Sequence, residues 1–427
     1  MNSAAAATFL AYPICAAGLI DLELDEFCLQ IALDILALVE SEPEILEPRA
    51  IDITYDARDL LPLRNAIRTD HFHPDIHLQL RGHRISFREK GLRYVKFLTP
   101  TFFPLPDLSV STLADQVGAC TAVLQPLHAL IEAHVLAAER LHGDDTTVPV
   151  LARGKTVKGR IWTYVRDDRP FAGTAPPAAL YYAWRDRRHE HPERHLRDFT
   201  GILQADAYSG YNSLYDPSRA PGAILPALCW AHARRQFFEL ADIAANARRG
   251  KNAPPISPVA LEAVKRIDAL FDIERAINGL PAEGRLRVCK QESAPVLTAL
   301  QAWLREERAR LSRSASVAQP IDYLLRRWDR FAGFLDDGRI CLTNNAAERA
   351  LRGFALGRKS WLFAGSERGA DRAAAMATLI ATAKLNDIDP QAWLADVLAR
   401  IAGIPQSRLH ELLPWNRRAT TTALKAA

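Results

Sequence analysis

The feature that most constrains the fold is the order of strand-like and helical runs between residues 145 and 232. Three runs rich in Thr, Val and aromatic residues come first, at Asp145–Ala152, Arg160–Arg166 and Ala178–Trp184, with Gly- and Pro-containing turns between them. They are followed by a short helical stretch, two apolar strands and the start of a longer helix, at Pro192–Phe199, Gly201–Ala205, Ala223–Trp230 and His232. Hairpin-like and crossover connections both occur, so the order predicts a mixed α/β sheet with flanking helices.

The regions on either side of this sheet read differently. Apolar residues recur at helical spacing from Ser111 to about Arg140, and Pro126 should kink or divide that helix. We expect five regions: an N-terminal region of unclear fold at 1–107, a linking helix at 108–140, the first part of the core at 141–245, a helical insertion at 246–339, and a catalytic helix with C-terminal helices at 340–427.

Composition bounds the class of protein. The 427 residues are too many for one ordinary core, and the apolar fraction of 48% is enough to bury one or more. The most apolar N-terminal stretch, Ala4 to Ile20, lacks a basic leading segment and contains Pro13, so we expect neither a signal peptide nor a membrane anchor. Six scattered cysteines form no paired motif, which favours a reducing cytoplasm.

Charge is unevenly distributed along the chain. Residues 1–108 carry 10 basic and 16 acidic residues, whereas the remainder carries 44 basic and 34 acidic residues. A polyanion such as DNA would therefore bind the part after residue 108.

Three acidic positions stand out, one of which is a pair of neighbouring residues. Each position has both a functional and a structural interpretation. Asp206 ends the apolar strand run, where a metal ion would offset the cost of a buried charge and where a simple turn aspartate is an equal alternative. Asp144 and Asp145 sit at the start of the first strand, and only one of the two can face a given site. Glu348 shares a helix face with Asn345 and Arg352, and an exposed Glu–Arg pair is the alternative reading.

Other polar residues near these carboxylates have both a functional and a structural interpretation. The basic residues that could hold DNA phosphates are Arg234, Arg235, Arg352, Arg358 and Lys359; a solvated basic face is the alternative. Cys229 and His232 could ligate a metal, but they lack partners in the nearby sequence, which favours a buried Cys and a surface His. For the same reason His71, His73, His77 and His83 are interpreted as part of a solvated polar segment.

The chain from about Leu108 to Asn416 resembles the transposases of the IS66 family of bacterial insertion sequences, specifically the large TnpC-type subunit. Nine stretches carry this resemblance, in order: Leu141–Thr146, Leu203–Tyr211, Cys229–Arg235, Phe334–Arg339, Asn344–Arg349, Leu356–Lys359, Phe363–Ser366, Thr382–Asn386 and Glu411–Asn416.

The resemblance implies a ribonuclease-H-like fold with an Asp-Asp-Glu site. The family's first Asp falls on Asp144, with Asp145 in reserve, its second Asp on Asp206 and its Glu on Glu348. It implies two Mg²⁺ ions held by these residues, with Mn²⁺ as an alternative, for DNA strand cleavage and strand transfer. The implied partners are transposon-end and target DNA, further copies of the chain on DNA and accessory proteins of the same element; no membrane is involved.

Residues 1 to about 107 depart from the family pattern. Family members usually carry a coiled coil, a cysteine-bearing module and a helix-turn-helix there, and none of these patterns is recognisable in this sequence. This favours one alternative, a degenerate or repurposed transposase that binds DNA without catalysis. A nuclease or resolvase that hydrolyses structured DNA is a third hypothesis.

Overall fold

The computed structural model describes residues 77–80, 83–86, 110–241, 256–358, 361 and 363–417. The chain divides into two compact units, residues 1–118 with 356–362 and residues 119–355 with 363–427. In the first unit, strands β1 (His77–Leu80) and β2 (His83–Ser86) pair antiparallel. His71, His73, Lys359 and the N-terminal 76 residues lie outside the described residues.

The second unit contains a five-stranded mixed sheet, which confirms the predicted α/β class. Its strands are β3 (Arg140–Ala152), β4 (Lys155–Arg166), β5 (Ala178–Trp184), β6 (Ile202–Ala205) and β7 (Leu225–Leu228). They lie in the order β5-β4-β3-β6-β7. The three longer strands pair antiparallel, and β6 runs parallel to both β3 and β7.

The predicted strand limits hold for β5 and fail for β3. Strand β3 begins at Arg140 rather than at Asp145, so Asp144 and Asp145 lie within the strand and not at its start. The first residues of β3 include Arg, His and Gly, which favour strands weakly. Parallel pairing of Arg140, Leu141 and His142 with β6 makes them a strand, and that pairing has no local sequence signal.

The helices of the described chain lie before, between and after the strands. Helix α1 spans Val110–Leu136, α2 spans Glu190–His195 and α3 spans Trp230–Ala241. The segment before the last carboxylate contains α4 (Pro258–Ile277), α5 (Ala282–Val288), α6 (Ala294–Arg310), α7 (Ala318–Leu325) and α8 (Trp328–Ala332). The C-terminal part contains α9 (Asn345–Gly357), α10 (Glu367–Leu385) and α11 (Pro390–Arg400).

Helix α1 runs unbroken through Pro126, so the expected division of this helix is wrong. Pro126 is exposed, and water can satisfy the carbonyl that the missing N–H leaves without a partner. Among the described helices, residues Ala114–Leu136 of α1 are long and apolar enough to cross a membrane, with a mean hydropathy of 1.2. A buried core helix has the same length and composition, and Leu127 and Ile131 of α1 are fully buried in the core.

Two hydrophobic clusters cover the sheet. One contains the inward residues of α1, the C-terminal segments and one face of β3 and β6, including Leu141 and Leu203. The other contains helices α3 to α8 and the opposite face, including Ile202 of β6. Because Gln204 and Asp206 follow Ile202 at intervals of two residues, they belong to this second face.

Candidate carboxylate site

The first two predicted carboxylates lie beside each other at the centre of the sheet. Strands β3 and β6 are parallel, and the last paired residues are His142 and Gln204. Asp144 and Asp206 each come two residues later, so they extend from the same faces as His142 and Gln204. Neighbouring strands lie about 4.8 Å apart, which sets the scale of the separation between these two positions.

The third carboxylate is carried to the same face of the sheet by the segment before α9. The side chain of Gln204 accepts the backbone N–H of Cys341, at 3.1 Å, and donates to the Cys341 carbonyl. The backbone N–H of Trp230, at the start of α3, donates to the Leu342 carbonyl at 2.8 Å. These bonds fix the chain immediately before the helix whose first turn contains Glu348.

A buried polar relay attaches the start of α9 to β3. The guanidinium of Arg140 donates to Nε2 of His142 at 2.7 Å, so the other ring nitrogen carries the proton and donates to Oδ1 of Asn344 at 3.2 Å. Nδ2 of Asn344 donates in turn to the carbonyl of Gly143 at 2.9 Å. The Asn344 side chain thus binds the strand that carries Asp144.

Electrostatics at Asp144 reflect this arrangement. Burial raises the pKa of Asp144 to about 7, the negative charges of Asp206, Asp145 and Glu348 act in the same direction, and the backbone N–H of Asp145 opposes them. The Asp206 and Glu348 side chains are 31% and 30% exposed, so a cation could reach their oxygens. The cluster is an acidic site at a partly open face of the sheet.

Asp145 has a different environment. Its side chain is 2% exposed and forms ion pairs with Arg160 at 2.9 Å and Arg187 at 2.7 Å. Burial raises the pKa of Asp145, and the hydrogen bond and charge of Arg187 oppose that rise. A carboxylate already held by two guanidinium groups is poorly placed to ligate a cation.

Asp206 is the first residue of a turn as well as a candidate ligand. One of its oxygens accepts the backbone N–H of Tyr208 at 3.1 Å, and the other lies 3.8 Å from Arg187. The Arg187 guanidinium stacks over the Tyr208 ring at 3.9 Å. The turn that the sequence offered as one interpretation of Asp206 is therefore present, and the metal-ligand role stays a prediction.

The predicted phosphate-binding residues have unequal surroundings. Arg234 forms a two-pronged ion pair with Asp268, with N–O distances of 2.6 and 2.9 Å. Arg235 and Arg352 are exposed on α3 and α9, and Arg358 is exposed just after the end of α9.

Cys229 and His232 have the partner that the sequence did not reveal. Cys229 is buried, as expected, but His232 is half-buried and its Nε2 lies 3.6 Å from Oε1 of Glu348. One ligand atom from each of these three residues lies within 4.8 Å of the others. Within the described part of the chain, Cys229, His232 and Glu348 are the group whose ligand atoms all lie within 4.8 Å of one another. The carboxylates of Asp144, Asp206 and Glu348 do not meet that distance as a group.

Gln204, Asn344 and Arg187 are the site residues that sequence reasoning missed. Each is a polar residue beside a predicted carboxylate, but its partner lies far away in the sequence. Gln204 reaches a residue 137 positions later, and Asn344 reaches β3 across 201 positions. No local periodicity contains that information; the one available signal is that Gln204 and Asn344 belong to motifs that also contain Asp206 and Glu348.

Comparison with known proteins adds independent information. The family model described as "Transposase IS66 family" matches residues 106–372, and the model described as "IS66 C-terminal element" matches residues 378–415. The uncharacterized protein y4hP of Sinorhizobium fredii is 63% identical over 324 residues, which cover 75% of this chain and 59% of that protein. Two further uncharacterized proteins of the same organism, y4qI and y4jD, are 37% and 36% identical over 316 and 302 residues. These alignments cover 73% and 69% of the chain, and the chain spans under three fifths of each relative's length.

Proposed function

Because this chain belongs to the IS66 family of transposases, we propose that it cleaves DNA strands and transfers them during movement of an insertion sequence. The proposed catalytic residues are Asp144, Asp206 and Glu348. Transposon-end and target DNA are the proposed substrates, and a reducing bacterial cytoplasm is the proposed location.

The observation that carries this proposal is the shared sheet face of the three carboxylates. Asp144 and Asp206 extend from the central parallel pair, and Gln204 and Asn344 attach the segment that leads into the helix of Glu348 to these two strands, which supports the proposed set. The strand order, with three antiparallel strands followed by two parallel ones, supports the ribonuclease-H-like fold that the resemblance implies.

The donor set fits hard divalent cations of the Mg²⁺ type. All three residues offer carboxylate oxygens, which Mg²⁺ prefers. The carboxylates are too far apart to surround one ion as a set, but two ions about 4 Å apart accept ligands up to roughly 8 Å apart. Such a pair of ions, when bound, supplies activation of the attacking oxygen and stabilisation of the leaving oxygen.

The protein's own residues would hold the site and the DNA. Asp144 is favoured over Asp145 as the first ligand, because Asp145 is committed to Arg160 and Arg187. Arg235 and Arg352, which are exposed, are the proposed phosphate contacts of the larger unit, whereas Arg234 would first have to leave Asp268.

Further partners follow from the family rather than from the described residues. Arg358 and Lys359 remain predicted phosphate contacts from the sequence. Assembly of several copies on DNA and cooperation with accessory proteins of the same element are part of the proposal.

A paired assay tests the function. Wild-type protein should cleave and join end-containing DNA only with Mg²⁺ or Mn²⁺, and Asp206→Ala should abolish both steps while DNA binding persists in a gel-shift assay. Asp216→Ala, at an exposed acidic position ten residues away, is the matched control and should retain activity. Retained Mg²⁺-dependent cleavage in Asp206→Ala would refute the assignment.

Two other outcomes correspond to the alternative hypotheses. Binding without any cleavage by the wild type would support a repurposed transposase that acts as a DNA-binding protein. Cleavage by hydrolysis without strand transfer would support a nuclease or resolvase.

A further inference from the structure

A second cluster of potential metal ligands also includes Glu348. Cys229 follows β7 and His232 lies in the first turn of α3, so both extend from the connection that leads away from the sheet. Their ligand atoms and a carboxylate oxygen of Glu348 all lie within 4.8 Å of one another. The cluster therefore contains one sulfur, one imidazole nitrogen and one carboxylate oxygen.

This donor set differs in kind from the carboxylate site. Sulfur and imidazole ligands favour Zn²⁺ and similar ions over Mg²⁺, and three protein ligands leave the fourth position of a tetrahedral Zn²⁺ open. Nitrogen and oxygen ligands each about 2.0–2.1 Å from a tetrahedral ion lie roughly 3.3–3.4 Å apart. The observed separation of 3.6 Å between His232 and Glu348 differs from this by a few tenths of an ångström.

The surroundings of the two donors that are not carboxylates also suit a ligand role. The sulfur of Cys229 accepts the backbone N–H of Asn344 at 3.2 Å, and outer hydrogen bonds of this kind orient metal ligands. Nδ1 of His232 is buried and has no hydrogen-bond partner among the residues that the structure describes. The ring nitrogen that faces Glu348 is Nε2, so Nε2 is the ligand atom, and a bound ion would leave the ring proton on Nδ1.

We propose that Cys229, His232 and Glu348 form a site for Zn²⁺ or a similar soft divalent cation, and that this ion competes with the carboxylate site for Glu348. Binding of the ion requires the Cys229 thiol to release its proton to solvent. The consequence for catalysis rests on the proposed function, because a Glu348 oxygen bound to Zn²⁺ is withdrawn from Asp144 and Asp206. The binding itself does not depend on it.

Co²⁺ titration of the full chain tests the binding. Tetrahedral Co²⁺ with a thiolate ligand absorbs in the near ultraviolet by charge transfer from sulfur, and histidines of the N-terminal region cannot produce that band. The band should appear in the wild type and disappear in Cys229→Ser. In His232→Gln the apparent affinity for Co²⁺, read from the concentration that gives half of the band, should fall about tenfold or more. Added Zn²⁺ should displace Co²⁺ and remove the band.

The matched control is Cys289→Ser, because Cys289 is also a buried free thiol of the described chain but lies outside the cluster. That variant should keep the full band. The serine at position 229 can still accept the Asn344 N–H, so loss of the band there reports the missing sulfur. Absence of a thiolate band in the wild type, or an undiminished band in Cys229→Ser, would overturn the proposal.

The competition is tested separately by cleavage. Zn²⁺ should slow Mg²⁺-dependent cleavage by the wild type, so that the ratio of the rates with and without Zn²⁺ is below one. In Cys229→Ser this ratio should be closer to one. If the wild type never cleaves DNA but shows the Cys229-dependent band, the proposed function is refuted and the metal site is supported. Equal inhibition in both proteins would refute the competition.

Discussion

Replacement of Asn344 by alanine should be far more damaging than its position in a helix-start motif suggests. Asn344 is fully buried, donates to the Gly143 carbonyl and accepts from the ring of His142. The substitution leaves that carbonyl and that ring N–H without a partner in the interior. Each unsatisfied buried group costs about 1–3 kcal/mol, so the free energy of unfolding should fall by about 2–6 kcal/mol.

The adjacent residue offers a matched control. Asn345 is exposed on the first turn of the same helix, so Asn345→Ala should change the free energy of unfolding by less than about 0.5 kcal/mol. Urea denaturation of the full chain measures both variants, and a lower midpoint with an unchanged slope identifies a loss of stability. Similar midpoints for Asn344→Ala and Asn345→Ala would refute the relay as a structural element.

A functional readout separates positioning from stability alone. Because Asn344 attaches the helix of Glu348 to the strand of Asp144, its loss should raise the Mg²⁺ concentration needed for half-maximal cleavage. The measurement is made well below the urea or temperature range of unfolding, where the variant is folded. An unchanged Mg²⁺ requirement would mean that Asn344 stabilises the fold without positioning Glu348.

Three further outcomes follow from the structure. Burial lowers the pKa of His195 from 6.5 to about 3, so the unfolded chain binds more protons between these values, and stability falls as pH drops below 6.5. The loss should be about 2 kcal/mol between pH 7 and pH 5, and His195→Gln should flatten that part of the measured pH profile; an unchanged slope would contradict it. Gly338→Ala should destabilise the fold, because its new methyl group would collide with the backbone oxygen of Ala282, whereas Gly365→Ala meets nothing within 4 Å and should show an unchanged thermal midpoint. Asp145→Asn should lower thermal stability through its lost ion pair with Arg187 but keep Mg²⁺-dependent cleavage in the folded protein; complete loss of cleavage would make Asp145 the first ligand.

The sequence predicted both limits of β5, but it placed the starts of β3 and β4 five residues too late. Strand β5 alternates or clusters apolar residues along its whole length, and its limits match the prediction. The first part of β3 is a strand because it pairs with β6 across about 60 intervening residues. Pro126 was expected to kink or divide α1, but the helix continues through it, and its exposed position lets water satisfy the carbonyl that lacks a donor.

Residue types predicted the chemistry of the site, and resemblance predicted its members. Asp144, Asp206 and Glu348 could be named before the fold was known, although their roles are still proposals. The sequence could not choose between Asp144 and Asp145, because the choice depends on Arg187, which is 42 positions from Asp145. It also dismissed Cys229 and His232 as ligands for lack of a partner, and the neighbour of His232 proved to be Glu348, more than a hundred positions away.

The central claim is that three carboxylates at one face of the sheet bind divalent cations, and Mn²⁺ binding measures it most directly. Isothermal titration of the full chain with Mn²⁺ should show binding that weakens sharply in Asp144→Asn, in Asp206→Asn and in Glu348→Gln, while Asp216→Asn binds like the wild type. Indistinguishable Mn²⁺ binding by the wild type and all three carboxylate variants would contradict the account.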